Sequence, residues 1–331
     1  MTADASMRLA RDTVAYHYDP SLPPRASVPP GTTVVFQTHD ARAGVLLDRG
    51  PGSLFELPLP TPGKGNPLTG PLLVEGAEPG DALIVRIDQI VLDEAGWCGG
   101  HAHVGPLEPG RIPRPLGRIC RVTDAEVRFS DAIALPTGPM IGCIGTAPGG
   151  ESPLSGLPGR YGGNMDHPTI GPGTTVHLPV FAPGGLLFIG DVHACQGDGE
   201  LSGVALEIGA EVTATIGVRK DAGLRWPWAQ TANRIMVMTS ALEFSDARRE
   251  AVAEMLAALE DQLGLEPAEG MALISVAGDL RVGQAFGGME LTLRLEMPAS
   301  LGLVPAGHRA GSNAPGPPDE TSAAESARGP S

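Results

Sequence analysis

Strict alternation of apolar and polar positions is clearest from Ala82 to Leu92, where Leu83, Val85 and Ile87 stand against Arg86 and Asp88. A period of two over that length predicts a half-exposed strand. The preceding stretch, Glu75-Gly-Ala-Glu-Pro-Gly-Asp81, is a turn whose geometry Asp81 serves. Further strand patterns run over Thr32–Asp40, Val122–Phe129, Thr174–Phe181, Leu186–Gly190, Glu211–Val218 and Met289–Met297. Met140–Gly145 is apolar with small residues, which predicts a buried strand that another group approaches closely.

The helical period appears late. Ala247, Ala251, Val252, Met255, Leu256, Leu259 and Leu263 make one apolar face, with Ser245 as the expected cap and Gly264 as the stop. A second helical stretch, Pro267–Ala277, is weakened by Gly270. The pattern therefore predicts a mainly β protein in four parts. They are an N-terminal arm (1–31), a β-rich catalytic domain (32–225), an α+β C-terminal unit (226–297) and a disordered tail (298–331), the tail being rich in Ala, Gly, Pro, Ser and Glu.

Composition sharpens this picture. The chain has 331 residues with 46 Gly and 33 Pro, a density that suits many short strands and turns. A net charge of −15 argues against a nucleic-acid partner. No run reaches the roughly 20 apolar residues of a membrane span, and the polar stretch Met1–His17 lacks the apolar region of a secretory signal. A cytoplasmic protein without a membrane partner is expected. The four cysteines are scattered and form neither a zinc ribbon nor a stapled scaffold.

The densest chemistry lies at Gly190-Asp-Val-His-Ala-Cys-Gln-Gly-Asp-Gly-Glu200, fed by the apolar run Leu186–Ile189. In extended backbone Asp191 and His193 point the same way. One imidazole among carboxylates suits a divalent metal or an acid/base pair. An acidic surface turn is the plainer alternative. Glu207, just past a second apolar run, reads equally as an ion-pair member or a site residue. The glycines match neither a dinucleotide fingerprint nor a phosphate loop.

Five stretches together resemble the acetamidase/formamidase family of amide hydrolases: Asn66-Pro-Leu-Thr-Gly-Pro71, Glu75–Asp81, Met140-Ile-Gly142, Gly162-Gly-Asn-Met-Asp166 and Gly190–Glu200. The similarity spans about residues 15 to 297. It implies a jelly-roll-like β domain, a β-barrel portion and a small α+β C-terminal unit, assembled as a homodimer or higher homo-oligomer. It also implies hydrolysis of a small linear carboxamide to a carboxylate and ammonia at a site with a divalent metal, Zn2+ with Ca2+ as the alternative. His39, His167 and the His101-x-His103 pair depart from the family's commoner pattern.

Amide hydrolysis needs a strong nucleophile, an oxyanion partner and a proton for departing ammonia. A divalent metal answers the first two needs. Asp191 and His193 are the paired ligand candidates, with Asp40 and Asp166 joining from elsewhere. Asp198 or Glu200 is the expected base and proton shuttle, and His193 and Asp166 are counted with them as catalytic. Asn66, Asn164 and Gln196 are the expected amide-binding groups, although Asn66 before Pro67 equally shapes a loop. Two other mechanisms or roles stand beside this one: a Cys195 nucleophile activated by His193, and a non-catalytic β-sandwich that binds a ligand or metal. Few aromatics lie near the motifs, which predicts a small pocket for short, uncharged primary amides.

Overall fold

The computed structural model describes residues 7–49, 65–100, 105–108, 110–114, 116–287 and 289–307. Its strands form two large sheets. The nine-stranded sheet runs, edge to edge, through Met7–Leu9, Thr32–Thr38, Ala210–Arg219, Ala82–Leu92, Thr175–Pro179, Trp228–Gln230, Arg234–Ala241, Leu291–Pro298 and Asp279–Val282. In the eleven-stranded sheet Leu187–His193 is the hub. Met140–Gly145 lies along one edge of it, and Leu68–Val74 and Glu207–Ile208 share the other.

One core joins the two sheets. Val34, Phe36, Val85, Ile87 and Val212 from the first meet Leu72, Ile141, Ile144, Ile189 and Val192 from the second. Alternation along Arg234–Ala241 splits its side chains between two cores: Met236 and Met238 face the sheets, whereas Ile235 and Val237 face a helix. That helix, Phe244–Leu263, buries Ala251, Met255, Ala258 and Leu259 on the sheet. Gly264 ends it with φ 67°, its N–H donating to the Glu260 carbonyl. The start differs from expectation: Glu243, not Ser245, is the cap, because the backbone is still extended there and turns helical at Phe244. Pro267–Ala277 is a helix as read, opened by a reciprocal capping box between Glu266 and Glu269.

The mainly β class holds. The barrel portion does not, because closure requires the end strands to pair. Among the described residues, Met7–Leu9 and Asp279–Val282 end the first sheet without meeting, as Pro158–Gly159 and Ile133–Pro136 end the second. The single strand expected over Val122–Phe129 is a hairpin of Leu116–Val122 and Glu126–Ser130, turned at Thr123, whose Oγ1 accepts from the Glu126 N–H at 3.1 Å. Residues 7–31 supply two strands, and the strands between 228 and 298 complete the sheet that begins at Met7. Residues 298–307 are packed: Leu303 is buried beside Trp226, and the Val304 N–H donates to Gln262 at 2.9 Å. The remainder of the expected tail, 308–331, lies outside the described residues. No helix among the described residues is long and apolar enough to cross a membrane.

Candidate active site

Asp191 and His193 sit at the end of the fully buried Leu187–His193 strand. They do face one side: His193 Nε2 lies 3.5 Å from Asp191 Oδ1. Asp166 arrives on the loop after Gly162–Asn164, and its side chain crosses Gly142 to reach Asp191. A Cβ at Gly142 would stand 2.5 Å from Asp166 Oδ1 and 2.9 Å from Asp191 Oδ2, so only glycine leaves room for the paired carboxylates. Glu207 comes from the neighbouring short strand and places Oε2 3.3 Å from His193 Nε2. Glu200 completes the group from the loop.

Two ligand-like sets share the imidazole: Asp166, Asp191 and His193, and His193, Glu200 and Glu207. All are buried; Glu200, the most open, is 8% exposed. Asp166, Asp191 and Glu200 each hold a positive φ, of 51°, 55° and 42°. Non-glycine residues adopt that region at a cost, and such strain gathers at functional sites.

Second contacts orient the group. Gln196 Nε2 donates to the carbonyls of Asp166 at 2.7 Å and Gly283 at 3.3 Å. Its Oε1 must then accept from His193 Nδ1, 2.8 Å away. Nδ1 therefore carries a proton, and Nε2 is the nitrogen turned toward the carboxylates. Asn66 Nδ2 donates to Asp191 Oδ2 at 2.5 Å and to Asn164 Oδ1 at 3.3 Å, and the Cys143 thiol also donates to Asn164.

Five atoms remain buried without a hydrogen-bond partner here: both oxygens of Asp166, Asp191 Oδ1, His193 Nε2 and Glu207 Oε2. Massed carboxylates of this kind resist ionising together. Burial, with Asp191 and Glu207 close by, pushes Asp166 up to about 8 against the pull of His193. Glu207 rises to about 7 through burial and Asp191, again against His193. Burial lowers the His193 pKa, but Glu207 and Asp191 outweigh it and leave the imidazole well above its ordinary value. The atoms left open are of the kind that a divalent cation would take. One imidazole nitrogen with carboxylate oxygens is a zinc-type donor set, whereas calcium favours oxygen ligands alone.

Not every expected residue joins. Asp40 accepts from Trp97 Nε1 at 3.0 Å and from the Arg42 and Gly44 amides, each at 2.8 Å, so its oxygens are spent on a turn. Asp198 is gripped by Arg294 through two contacts of 2.9 and 3.3 Å, which removes it as a free base. Asn66, Asn164 and Gln196 spend their amide groups on the carboxylates, Cys143 and the imidazole, and Gln196 alone of the three also borders a neighbouring cavity. Cys195 is half-buried and its thiol is raised by burial and by Cys120, while both His193 nitrogens face other groups, which weighs against a thiolate nucleophile. His39 contacts the Arg11 carbonyl at 3.0 Å, and His167 is buried against Arg294, outside the ligand sets. His101 and His103 lie outside the described residues.

Glu207 is the member that sequence reading left undecided; its place after an apolar run was the available signal. Cys143 and Arg42 went unnoticed. Burial lowers the Arg42 pKa while Glu207, Asp40 and Asp191 raise it, so its charge is felt by the same carboxylates.

A cavity of about 940 Å³ opens beside the group, with Glu200 and Gln196 in its wall. It exceeds what the scarcity of aromatics suggested, because aliphatic side chains build it.

Comparison with known proteins gives the chain's relationships. The model of the acetamidase/formamidase family matches residues 2–155 and 151–282. A formamidase of Methylophilus methylotrophus is 26% identical over 210 residues, 46% of this chain and 52% of that protein. The chain thus spans about half the length of the curated relatives it matches. The acetamidase structure from Bacillus halodurans is 34% identical, with TM-score 0.82 over 89% of this chain and 98% of that one. An acetamidase from Yersinia enterocolitica gives 31% identity and TM-score 0.83 over 91% and 94%. The chain belongs to the acetamidase/formamidase family.

Proposed function

We propose that the protein hydrolyses the C–N bond of a small linear carboxamide, giving a carboxylate and ammonia, at the Asp166–Asp191–His193–Glu200–Glu207 group with a divalent cation, Zn2+ before Ca2+. The observation that carries this reading is the gathering of five buried atoms without hydrogen-bond partners into two ligand-like sets that share the His193 imidazole, with Glu200 reaching the wall of a cavity. Asp191, His193 and Asp166 would hold the cation, with Glu207 in the place expected of Asp40. A cation bound there supplies Lewis acidity, lowering the pKa of water and polarising a carbonyl oxygen.

The chain's own groups do the rest. Asn66 and Gln196 fix Asp191 and His193 in their productive orientations. Burial, with Asp166, Glu207 and Asp191 close by, raises the Glu200 pKa against the pull of His193. Once its carboxylate is ionised, Glu200, facing the cavity, therefore takes a proton readily from the attacking water. As the water oxygen bonds to carbon and the C–N bond breaks, that proton passes to the nitrogen and ammonia leaves. Family membership supports the reaction class.

The experiment is elemental analysis of the purified protein alongside ammonia release from acetamide, with and without chelator. Bound metal and chelator-sensitive turnover are expected, and Asp191→Ala or His193→Ala should abolish both. Near-normal turnover in either variant, with unchanged circular dichroism, would overturn the assignment.

A further inference from the structure

The cavity beside Glu200 is built for something longer than a two-carbon amide. Its volume, about 940 Å³, lies at the upper end of ordinary ligand pockets. Acetamide has four heavy atoms and fills roughly 120 Å³ if each takes the ~30 Å³ share of a water. Gln196 and Glu200 join the cavity to the carboxylate group. Part of the wall is apolar: Val127 and Phe129 from Glu126–Ser130, Leu135 from Ile133–Pro136, and Val204 and Leu206 from the run before Glu207. Such a wall offers water no hydrogen bonds, so an apolar chain gains by displacing it.

Charge on the wall is already answered in part. Asp198 is held by Arg294, and Arg118 lies over the Phe129 ring at 4.8 Å. Asp198 thus needs no cationic partner from a ligand, while Arg118 Nε is buried without a hydrogen-bond partner.

We infer that the preferred substrates are linear primary amides with a medium-length apolar acyl chain, about five to eight carbons. The amide sits at Glu200 and the chain runs along Val127, Phe129, Leu135 and Leu206. This rests on the amidase reading above and narrows its substrate class. Each buried methylene adds about threefold to fourfold in transition-state binding. Hexanamide should therefore exceed acetamide in kcat/KM by at least about 30-fold, allowing for incomplete burial.

The test compares kcat/KM for acetamide and hexanamide in the wild type, Leu135→Asp and Phe129→Ser, with calorimetric binding of hexanamide to each protein. A hexanamide preference that falls about tenfold in either variant supports the inference. A wild-type ratio near or below one overturns it, even if acetamide turnover confirms the amidase. Should neither amide be cleaved, the amidase reading fails separately. Hexanamide binding that weakens in Leu135→Asp or Phe129→Ser then still supports the apolar-chain cavity, and absence of binding overturns it.

Discussion

At the scale of single residues, the site depends on side chains that never meet substrate. Gln196 has no freedom: two carbonyls claim its Nε2, so its oxygen fixes the His193 tautomer. Orienting contacts of this type are worth about 10–100-fold in metal affinity. Gln196→Ala should weaken metal binding by that factor, read by competition with a chromogenic chelator, and turnover should recover at high added metal. Unchanged affinity would remove Gln196 from the site's support. Glu200 and Asp198 make a second contrast. Glu200→Gln should lower kcat by about 10²–10⁴. Asp198→Asn, which alters an ion pair with Arg294, should cost less than about tenfold; equal losses would return Asp198 to the proton relay. These contrasts also mark what a sequence can disclose. Asp191 and His193 were legible as a pair because they stand two residues apart in one apolar strand, although Asp191 itself leaves extended backbone at φ 55°. Asp40 and Asp198 misled because their partners, Trp97 and Arg294, stand 57 and 96 residues away, and residue type alone does not reveal an occupied carboxylate.

At the scale of elements, legibility followed periodicity. Ala82–Leu92, Met140–Gly145 and the helix after Phe244 were readable because one face of each is apolar at a fixed period. Leu68–Val74 was not: it is buried on both faces, which erases alternation, and Gly70 and Pro71 are residues that strands disfavour. Residues 299–307 of the expected tail are packed, and their composition hides it: Leu303 and Pro305 are both buried. Burying a leucine contributes about 1.5–3 kcal/mol. Truncation after Pro298 should therefore lower Tm by several degrees in a thermal melt, and an unchanged Tm would show that the segment does not dock. The Asp81 turn carries a pH-dependent share of stability. Burial raises the Asp81 pKa, but hydrogen bonds from Lys220 and from the Glu78 and Asp221 amides outweigh it and hold the carboxyl below its usual range. A depressed folded pKa stabilises above the ordinary carboxylate range and loses that effect as pH falls through the folded value. Asp81→Asn should lower Tm at neutral pH, and its gap from wild type should close in acid. A gap independent of pH would assign the effect to shape rather than charge.

At the scale of the whole molecule, the division at residue 225 suggested by composition meets a continuous sheet. Trp228–Gln230 pairs with Thr175–Pro179, and through Arg234–Ala241 it carries Leu291–Pro298 into the same nine strands. That last strand delivers Arg294 to Asp198, so the helical end of the chain reaches the wall of the cavity. Splitting the chain there would expose two sheet edges and tear the core that Met236 and Met238 share with both sheets. We propose that the described residues unfold as one cooperative unit, with a single calorimetric transition. A cation held at the proposed site would couple to that unit. A ligand that binds only the folded state stabilises it by RT ln(1 + [L]/Kd), about 2.7 kcal/mol at a hundredfold excess over Kd. Added Zn2+ should therefore move the whole transition upward, and a chelator should move it down by a like amount, without splitting it. Two transitions, of which only the earlier part of the chain responded to metal, would restore the two-domain division and detach the C-terminal strands from the stability of the site.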